Sequence, residues 1–248
     1  MKLHVNGIEL HWSETGEGEP LLWLHGGMGC GTDWRFIFED PPQGYRLIAP
    51  DLRAHGRSTG TADGFSFRQC ARDVEALLSH LGISRVKAIG LSGGGLVLLH
   101  IASASPSLVD AMVLVSAPPY FPDQARAIQR QFSAAMLSDA ERAHLRASHP
   151  RGDEQIAELL QIVHGLAESY DDVRWTEAEL GSISGETLIV FGDRDPLYPV
   201  SLAFELFRAI PKAYLWVVPN GAHGPVFGDA ASGFAATALR FLSGAWRT

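Results

Sequence analysis

Three kinds of polar residue, each placed just after an apolar run, carry the chemistry open to this chain: Ser92, the pair Asp193 and Asp195, and His223. Ser92 lies in Gly90-Leu91-Ser92-Gly93-Gly94-Gly95, between a short apolar run from Val86 and an apolar stretch of helix length. A serine hydroxyl is a weak nucleophile until a base takes its proton. The imidazole that does so needs a carboxylate to orient it and to stabilise its charged form. Serine, acid and histidine in that chain order supply each role once. The surrounding glycines permit a sharp strand-to-helix turn that lifts the hydroxyl above a sheet, and a helix beginning there aims N–H groups at any oxyanion beside Ser92.

Other uses of a glycine-rich turn fit less well. A dinucleotide-binding loop requires Gly-x-Gly-x-x-Gly after the first strand with an acidic residue about 20 positions on, and that spacing is missing. The phosphate loop ending in Gly-Lys-Ser/Thr is missing too, so no cofactor is expected. The chain's 20 basic and 28 acidic residues give a net charge of −8, which argues against nucleic acid and anionic membrane surfaces as partners and leaves a small molecule. Cys30 and Cys70, the two cysteines, show neither disulfide-framework nor zinc spacing. His55, His100, His144, His149 and His164 likewise show no metal-ligand spacing, so no metal is expected. The N-terminus lacks a basic segment followed by an apolar one, and no apolar stretch nears the roughly 18 residues of a membrane span. A cytoplasmic setting follows as the expectation.

The elements that must hold these residues are legible from periodicity. Asn6-Gly7 between alternating runs at 2–5 and 8–13 signals a two-residue hairpin. Apolar runs at 21–24, 45–49, 86–90, 111–115, 187–191 and 213–218 read as strands, most of them buried on both faces. Ser66 caps a helix over 67–81 that Gly82 closes, and further helices are expected from Ser92, over 201–209 and over 230–242. Strand and helix in alternation give a parallel sheet with right-handed crossovers. Between 118 and 184 the alternation stops, and the signals are helical over 123–137, 138–147, 153–166 and 175–180. The expected organisation is a core domain of residues 1–117 and 185–248 with a helical lid of residues 118–184. In an open parallel sheet the loops at the carboxyl ends of strands share one edge, so Ser92, the Asp193/Asp195 loop, the His223 loop and His25-Gly26-Gly27 should meet there.

These motifs together resemble the α/β-hydrolase superfamily. Besides the elbow around Ser92, His25-Gly26-Gly27 is similar to its first oxyanion-hole loop, and Asp51-Leu52-Arg53-Ala54-His55-Gly56-Arg57-Ser58 to its Asp-x-Arg-Gly-x-Gly-x-Ser stretch, with alanine and histidine at 54 and 55. Gly192-Asp193-Arg194-Asp195-x-x-x-Pro199 is similar to its acid loop and Gly221-Ala222-His223 to its Gly-Gly-His loop. The resemblance implies an α/β fold with helices on both faces of a mostly parallel sheet and an inserted helical lid. It implies Ser92 as nucleophile, His223 as general base and then acid, and Asp195, four residues ahead of the proline, as the orienting carboxylate; Asp193 is the competing candidate for that role and otherwise a loop-bracing residue. Ser116, where some relatives carry the acid, cannot serve. The backbone N–H groups of Gly27 and Gly93 form the implied oxyanion hole, with Met28 as fallback for the second donor and as a substrate contact, while His25 is implied to be structural. Trp34, Met28, Met136 and Tyr170 are candidates either for an acyl pocket or for apolar core. Haloalkane dehalogenases and epoxide hydrolases carry aspartate at the elbow, so the serine implies attack on a carbonyl: hydrolysis of an ester, lactone or thioester. Carbon–carbon bond hydrolases, perhydrolases and aminopeptidases share the fold and remain alternatives, as does a ligand-binding protein without catalysis.

Overall fold

The computed structural model describes residues 1–246. Its strands are β1 (Lys2–Val5), β2 (Ile8–Thr15), β3 (Glu19–Leu24), β4 (Tyr45–Pro50), β5 (Val86–Leu91), β6 (Val109–Val115), β7 (Glu186–Gly192) and β8 (Ala213–Val218). They form one sheet in the order β1-β2-β4-β3-β5-β6-β7-β8, with β1 and β2 antiparallel and the rest parallel. At the opening hairpin Asn6 and Gly7 both take positive φ, 46° and 79°, as the two-residue turn demands.

Helices cover both faces. On one lie α1 (Phe67–His80), α2 (Gly93–Ala104) and α7 (Val200–Ala209), whose apolar residues join one core with Leu22, Leu24 and Phe191 of the sheet. On the other, α8 (Ala231–Leu242) and a short 3-10 helix at Gly31–Phe36 pack over Trp23, Val113 and Val190. The α2 helix is apolar all round because it is buried between the sheet and α1. Ser66 caps α1 by accepting from the Gln69 N–H at 3.0 Å, and Gly82 ends the turn beyond it at φ +68°. Among the described residues no helix is long and apolar enough to cross a membrane.

Four helices stand between β6 and β7: α3 (Asp123–Gln131), α4 (Asp139–Ser148), α5 (Asp153–Leu166) and α6 (Glu177–Gly181). The expected single helix over 123–137 is two pieces. Phe132 is extended at ψ 127°, its carbonyl accepts from His164 Nε2, and a short turn follows at Ala134–Met136. Helical spacing continues past the break, but a tertiary hydrogen bond takes the carbonyl that the helix would have used. Ser138 and Glu141 then cap α4 reciprocally. The α4 and α5 helices build a cluster of Leu145, Ile156, Leu159 and Ile162 against Met28 and Ala54 at the sheet edge. By contrast α6 turns inward: Leu180 and Ile183 belong to the core beneath α2 and α7.

One buried ion pair fixes the loop after β4. Arg53 donates from Nε and Nη2 to both carboxylate oxygens of Asp73 on α1, at 2.9 and 3.0 Å, and both side chains are nearly fully buried. Removing the guanidinium leaves a buried carboxylate held only by Asn6 and Gln69. Arg53→Ala is therefore expected to cost about 3–5 kcal/mol. Urea unfolding measures it, and a loss below about 1 kcal/mol, the range of an exposed pair, would contradict the assignment.

Candidate functional site

The site begins at the turn between β5 and α2. Ser92 takes φ +48° and ψ −112°, a region in which a side-chain-bearing residue costs about 1–3 kcal/mol. Its surroundings hold it there. The Ser92 N–H donates to the Val115 carbonyl at 2.7 Å and its own carbonyl accepts from Leu96 at 3.1 Å. The turn is so tight that a Cβ on Gly90 would stand 2.6 Å from the Gly94 carbonyl oxygen, and one on Gly94 would stand 2.7 Å from that of His25. Only glycine fits at either position.

The loops after β7 and β8 bring the acid and the histidine to this turn. His223 Nε2 lies 3.0 Å from Ser92 Oγ and its Nδ1 lies 2.8 Å from Asp195 Oδ2. The Asp195 side chain is fully buried, whereas His223 is about one quarter exposed (27%). The second carboxylate oxygen of Asp195 accepts the N–H groups of Leu197 at 2.8 Å and Tyr198 at 3.1 Å, so the loop backbone fixes its direction. Asp193 points elsewhere: its carboxylate is about one third exposed and stands 4.0 Å from Arg194. The ring of Tyr198 meets His223 edge-on at 5.3 Å, and Phe121 stacks on Tyr198 at 6.2 Å. Burial pushes the Tyr198 hydroxyl far above its usual range, with Asp195 adding to the shift, so it stays neutral beside the histidine.

The loop after β3 supplies the other wall. A Cβ on Gly93 would stand 3.5 Å from the Gly27 amide nitrogen, so the two expected oxyanion donors are neighbours. Met28 is turned away from that duty. It sits at φ +61°, and its N–H donates to His55 Nε2 at 3.2 Å. The buried His55 keeps its other nitrogen on the Arg53 carbonyl at 2.9 Å, and His25 bridges the Leu52 N–H at 2.9 Å and the Gly26 carbonyl at 2.7 Å. Both histidines therefore hold loops together. Above them, Gln155 on α5 donates to the carbonyls of Ala54 and Gly56, each at 2.9 Å, which ties the helical segment to the same loops.

A cleft of about 830 Å³ opens beside His223, lined by Gly27, Met28, Phe36, Leu91, Phe132 and Phe227 among others. Of the four residues considered for a pocket, Met28 lines it. Trp34 is instead buried in the core under the sheet, Met136 is exposed, and Tyr170 lies under the Arg126 guanidinium 4.0 Å from its ring centre. Three contributors lay beyond sequence reasoning. Ser116, at φ +50°, accepts the Gly224 N–H at 3.1 Å and so braces the His223 loop, while Phe36 and Phe227 meet edge-to-face at 6.4 Å at the cleft mouth. Each depends on contacts distant in sequence: Ser116 stands out in the sequence only as an acid position that cannot serve, and no local motif marks the two phenylalanines. Among the described residues no cluster of His, Cys, Asp and Glu could hold a metal. Both cysteines are free and buried, and burial with the nearby Asp33 charge pushes the Cys30 thiol up to about 11, which makes it a poor nucleophile.

Burial also pushes His55 well below the ordinary imidazole value and His149 below it, with the neighbouring His25 contributing to both. The unfolded chain, with histidines near pKa 6.5, thus binds more protons than the folded one once pH falls below that value. The stability these neutral histidines lend is full above about pH 6.5 and is lost as pH falls. The thermal midpoint should drop between about pH 6.5 and pH 5. It should drop less in His149→Asn, whose amide can still donate to the Leu145 carbonyl that His149 Nδ1 reaches at 2.9 Å. A midpoint flat across that range would contradict the burial of these rings in neutral form.

A family model described as alpha/beta hydrolase fold matches residues 19–151, more than half of the chain and the part that contains the Ser92 turn. The chain belongs to the alpha/beta hydrolase fold family. Its relatives agree. Serine hydrolase BPHL of Mus musculus is 29% identical over 232 residues, 90% of this α/β hydrolase and 79% of that protein. A soluble epoxide hydrolase of Corynebacterium sp. (strain C12) is 36% identical over 115 residues, which span 46% of this chain and only 40% of that one. Among solved structures, the enol-lactonase from Burkholderia xenovorans LB400 superposes with a TM-score of 0.78 at 21% identity, over 98% of this chain and 100% of its own. The eight-stranded, mostly parallel sheet with helices on both faces is the fold of this family, and enzymatic hydrolysis is the activity class its relatives support.

Proposed function

We propose that this protein is a serine hydrolase that cleaves a carboxylic ester, or a related lactone or thioester, of a small molecule through an acyl-enzyme on Ser92. The observation that carries the reading is the continuous hydrogen-bond path Asp195–His223–Ser92, 2.8 and 3.0 Å long, ending on a hydroxyl held at a strained turn. With Asp195 accepting a hydrogen bond from Nδ1–H, His223 Nε2 is left as the acceptor for the Ser92 hydroxyl.

The chemistry then runs in two balanced halves. Ser92 Oγ attacks the carbonyl carbon as its proton passes to His223 Nε2, and the carbonyl oxygen, now negative, is held by the N–H groups of Gly27 and Gly93. His223 gives that proton to the departing alkoxide, the carbon–oxygen bond breaks, and the acyl group stays on Ser92. Water enters, loses a proton to His223, attacks the acyl carbon, and Ser92 leaves with its proton restored. The mouse relative's name, serine hydrolase, supports this reading over an aspartate-based one. The helices α3 to α5 over the sheet edge serve as the lid, and the bonds from Gln155 to the Ala54 and Gly56 carbonyls hold it down.

Acid-quenching the enzyme within its first turnovers of p-nitrophenyl acetate and weighing the intact chain tests the intermediate. The expected result is one acetyl group per chain, on the peptide containing Ser92. Release of p-nitrophenol in steady turnover, with no acyl group ever on Ser92 under conditions where deacylation limits the rate, would defeat the proposal.

A further inference from the structure

Two cavities that meet at Gly26, Gly27 and Met28 differ greatly in size, and only one of them touches His223. The first is the open cleft of about 830 Å³, walled by His223, Leu91 and Phe227. The second is a narrower, more enclosed lobe of about 20 Å³ beneath α5, which shares Gly27 and Met28 with the cleft and is completed by Gly93, Phe67, Leu159 and Ile162. Neither His223 nor Phe227 reaches it.

Resting on the serine-hydrolase reading, we propose that the acyl half of the substrate enters the narrow lobe and the leaving alcohol lies in the open cleft, so that the enzyme takes esters of very short acids with bulky apolar alcohols. The tetrahedral carbon on Ser92 Oγ carries three other groups: the oxyanion, the leaving oxygen and the acyl chain. The oxyanion is committed to the Gly27 and Gly93 amides. The leaving oxygen must come within hydrogen-bond reach of His223 Nε2 to take its proton, which commits it to the side that His223 lines. What remains for the acyl chain is the lobe away from His223, on the Gly93 face where Phe67 stands 3.0 Å from the position of a Cβ.

Size then decides chain length. A cavity needs about 10–15 Å³ to hold one water, so about 20 Å³ is room for a group of about methyl size. The walls resist expansion. Leu159 is fully buried, and Phe67 is buried and locked edge-to-face against Phe65 at 5.3 Å. The cleft has the opposite character. Phe36 is 53% exposed and Phe227 37%, an aromatic pair left open at its mouth, with Phe132 and Leu137 opposite, which suits an apolar alcohol of aromatic size.

Two ester series test the assignment. With p-nitrophenol as the common leaving group, kcat/KM is expected to fall about tenfold or more from acetate to butyrate and again to octanoate, the scale set by one or two methylenes against a rigid wall. With acetate as the common acid, it is expected to rise from ethyl to benzyl to naphthylmethyl esters, whose alkoxides are similarly basic. Ile162→Ala, and the milder Val163→Ala where the first proves unstable, should move the acyl optimum to butyrate and leave the alcohol order alone. Phe227→Ala should erase the alcohol preference and leave the acyl order alone. Octanoate preferred by the wild type, or an acyl optimum moved by Phe227→Ala and not by the α5 variants, would overturn the orientation. No turnover of any ester, with no fluorophosphonate label on Ser92, would instead defeat the serine-hydrolase reading beneath it.

Discussion

Ser92→Ala is expected to lower kcat for p-nitrophenyl acetate by about a million-fold, to the level that the oxyanion amides and binding alone provide. The expectation follows from geometry: the hydroxyl at 3.0 Å from His223 Nε2 is the group the base is positioned to deprotonate. His223→Ala should cost a similar factor, because an unactivated serine hydroxyl does not attack an ester at a useful rate. The double variant should be no worse than either single one, since the two residues act as a unit. The fold should survive. Alanine keeps the Cβ that already meets the φ +48° constraint at position 92, so the thermal midpoint should stay near that of the wild type. Near-native turnover by either variant would remove the proposed mechanism.

Asp195→Asn is expected to cost about ten-thousandfold in kcat, while Asp193→Asn should leave turnover within a small factor of the wild type. Asp195 presents one oxygen to the N–H groups of Leu197 and Tyr198 and the other to His223 Nδ1. An asparagine there keeps its carbonyl oxygen on the two backbone donors and turns its NH2 toward the imidazole. His223 Nδ1 must then accept, its proton moves to Nε2, and Nε2 can no longer take the proton of Ser92. Asp193 touches neither imidazole nitrogen, and its partly exposed carboxylate faces Arg194 across 4.0 Å. The reverse order of rates would transfer the orienting role to Asp193.

Much of this arrangement can be read from the chain because its determinants are local. Asn6-Gly7 must turn, apolar runs such as residues 86–90 must be buried on both faces, and Ser66 must cap, so the strands and the four α-helices outside the inserted segment fall within a few residues of expectation, while the short helix at Gly31–Phe36 carries no such local signal. The Ser92 elbow is legible for the same reason: glycines at 90 and 94 are needed wherever backbones approach this closely. What resisted reading depends on long-range contacts. At the break the Phe132 carbonyl accepts from His164, 32 residues away. The Met28 N–H was open as a donor until His55, 27 residues on, claimed it. Ser116 reads as a small residue at a strand end, yet its hydroxyl supports the loop that carries His223, 108 residues on at Gly224. Composition likewise says nothing of cavity shape, since the α5 residues that narrow the lobe carry the same apolar stripe as any buried helix.

The most direct measurement of the central claim is intact-mass spectrometry after exposure to a fluorophosphonate, on the wild type and on Ser92→Ala, with the labelled peptide identified. One phosphonyl group per wild-type chain, located on Ser92 and absent from the variant, is the result expected of a hydroxyl activated by His223 and Asp195. A wild type that hydrolyses esters while Ser92 stays unlabelled, or a variant labelled equally at another residue, would contradict it.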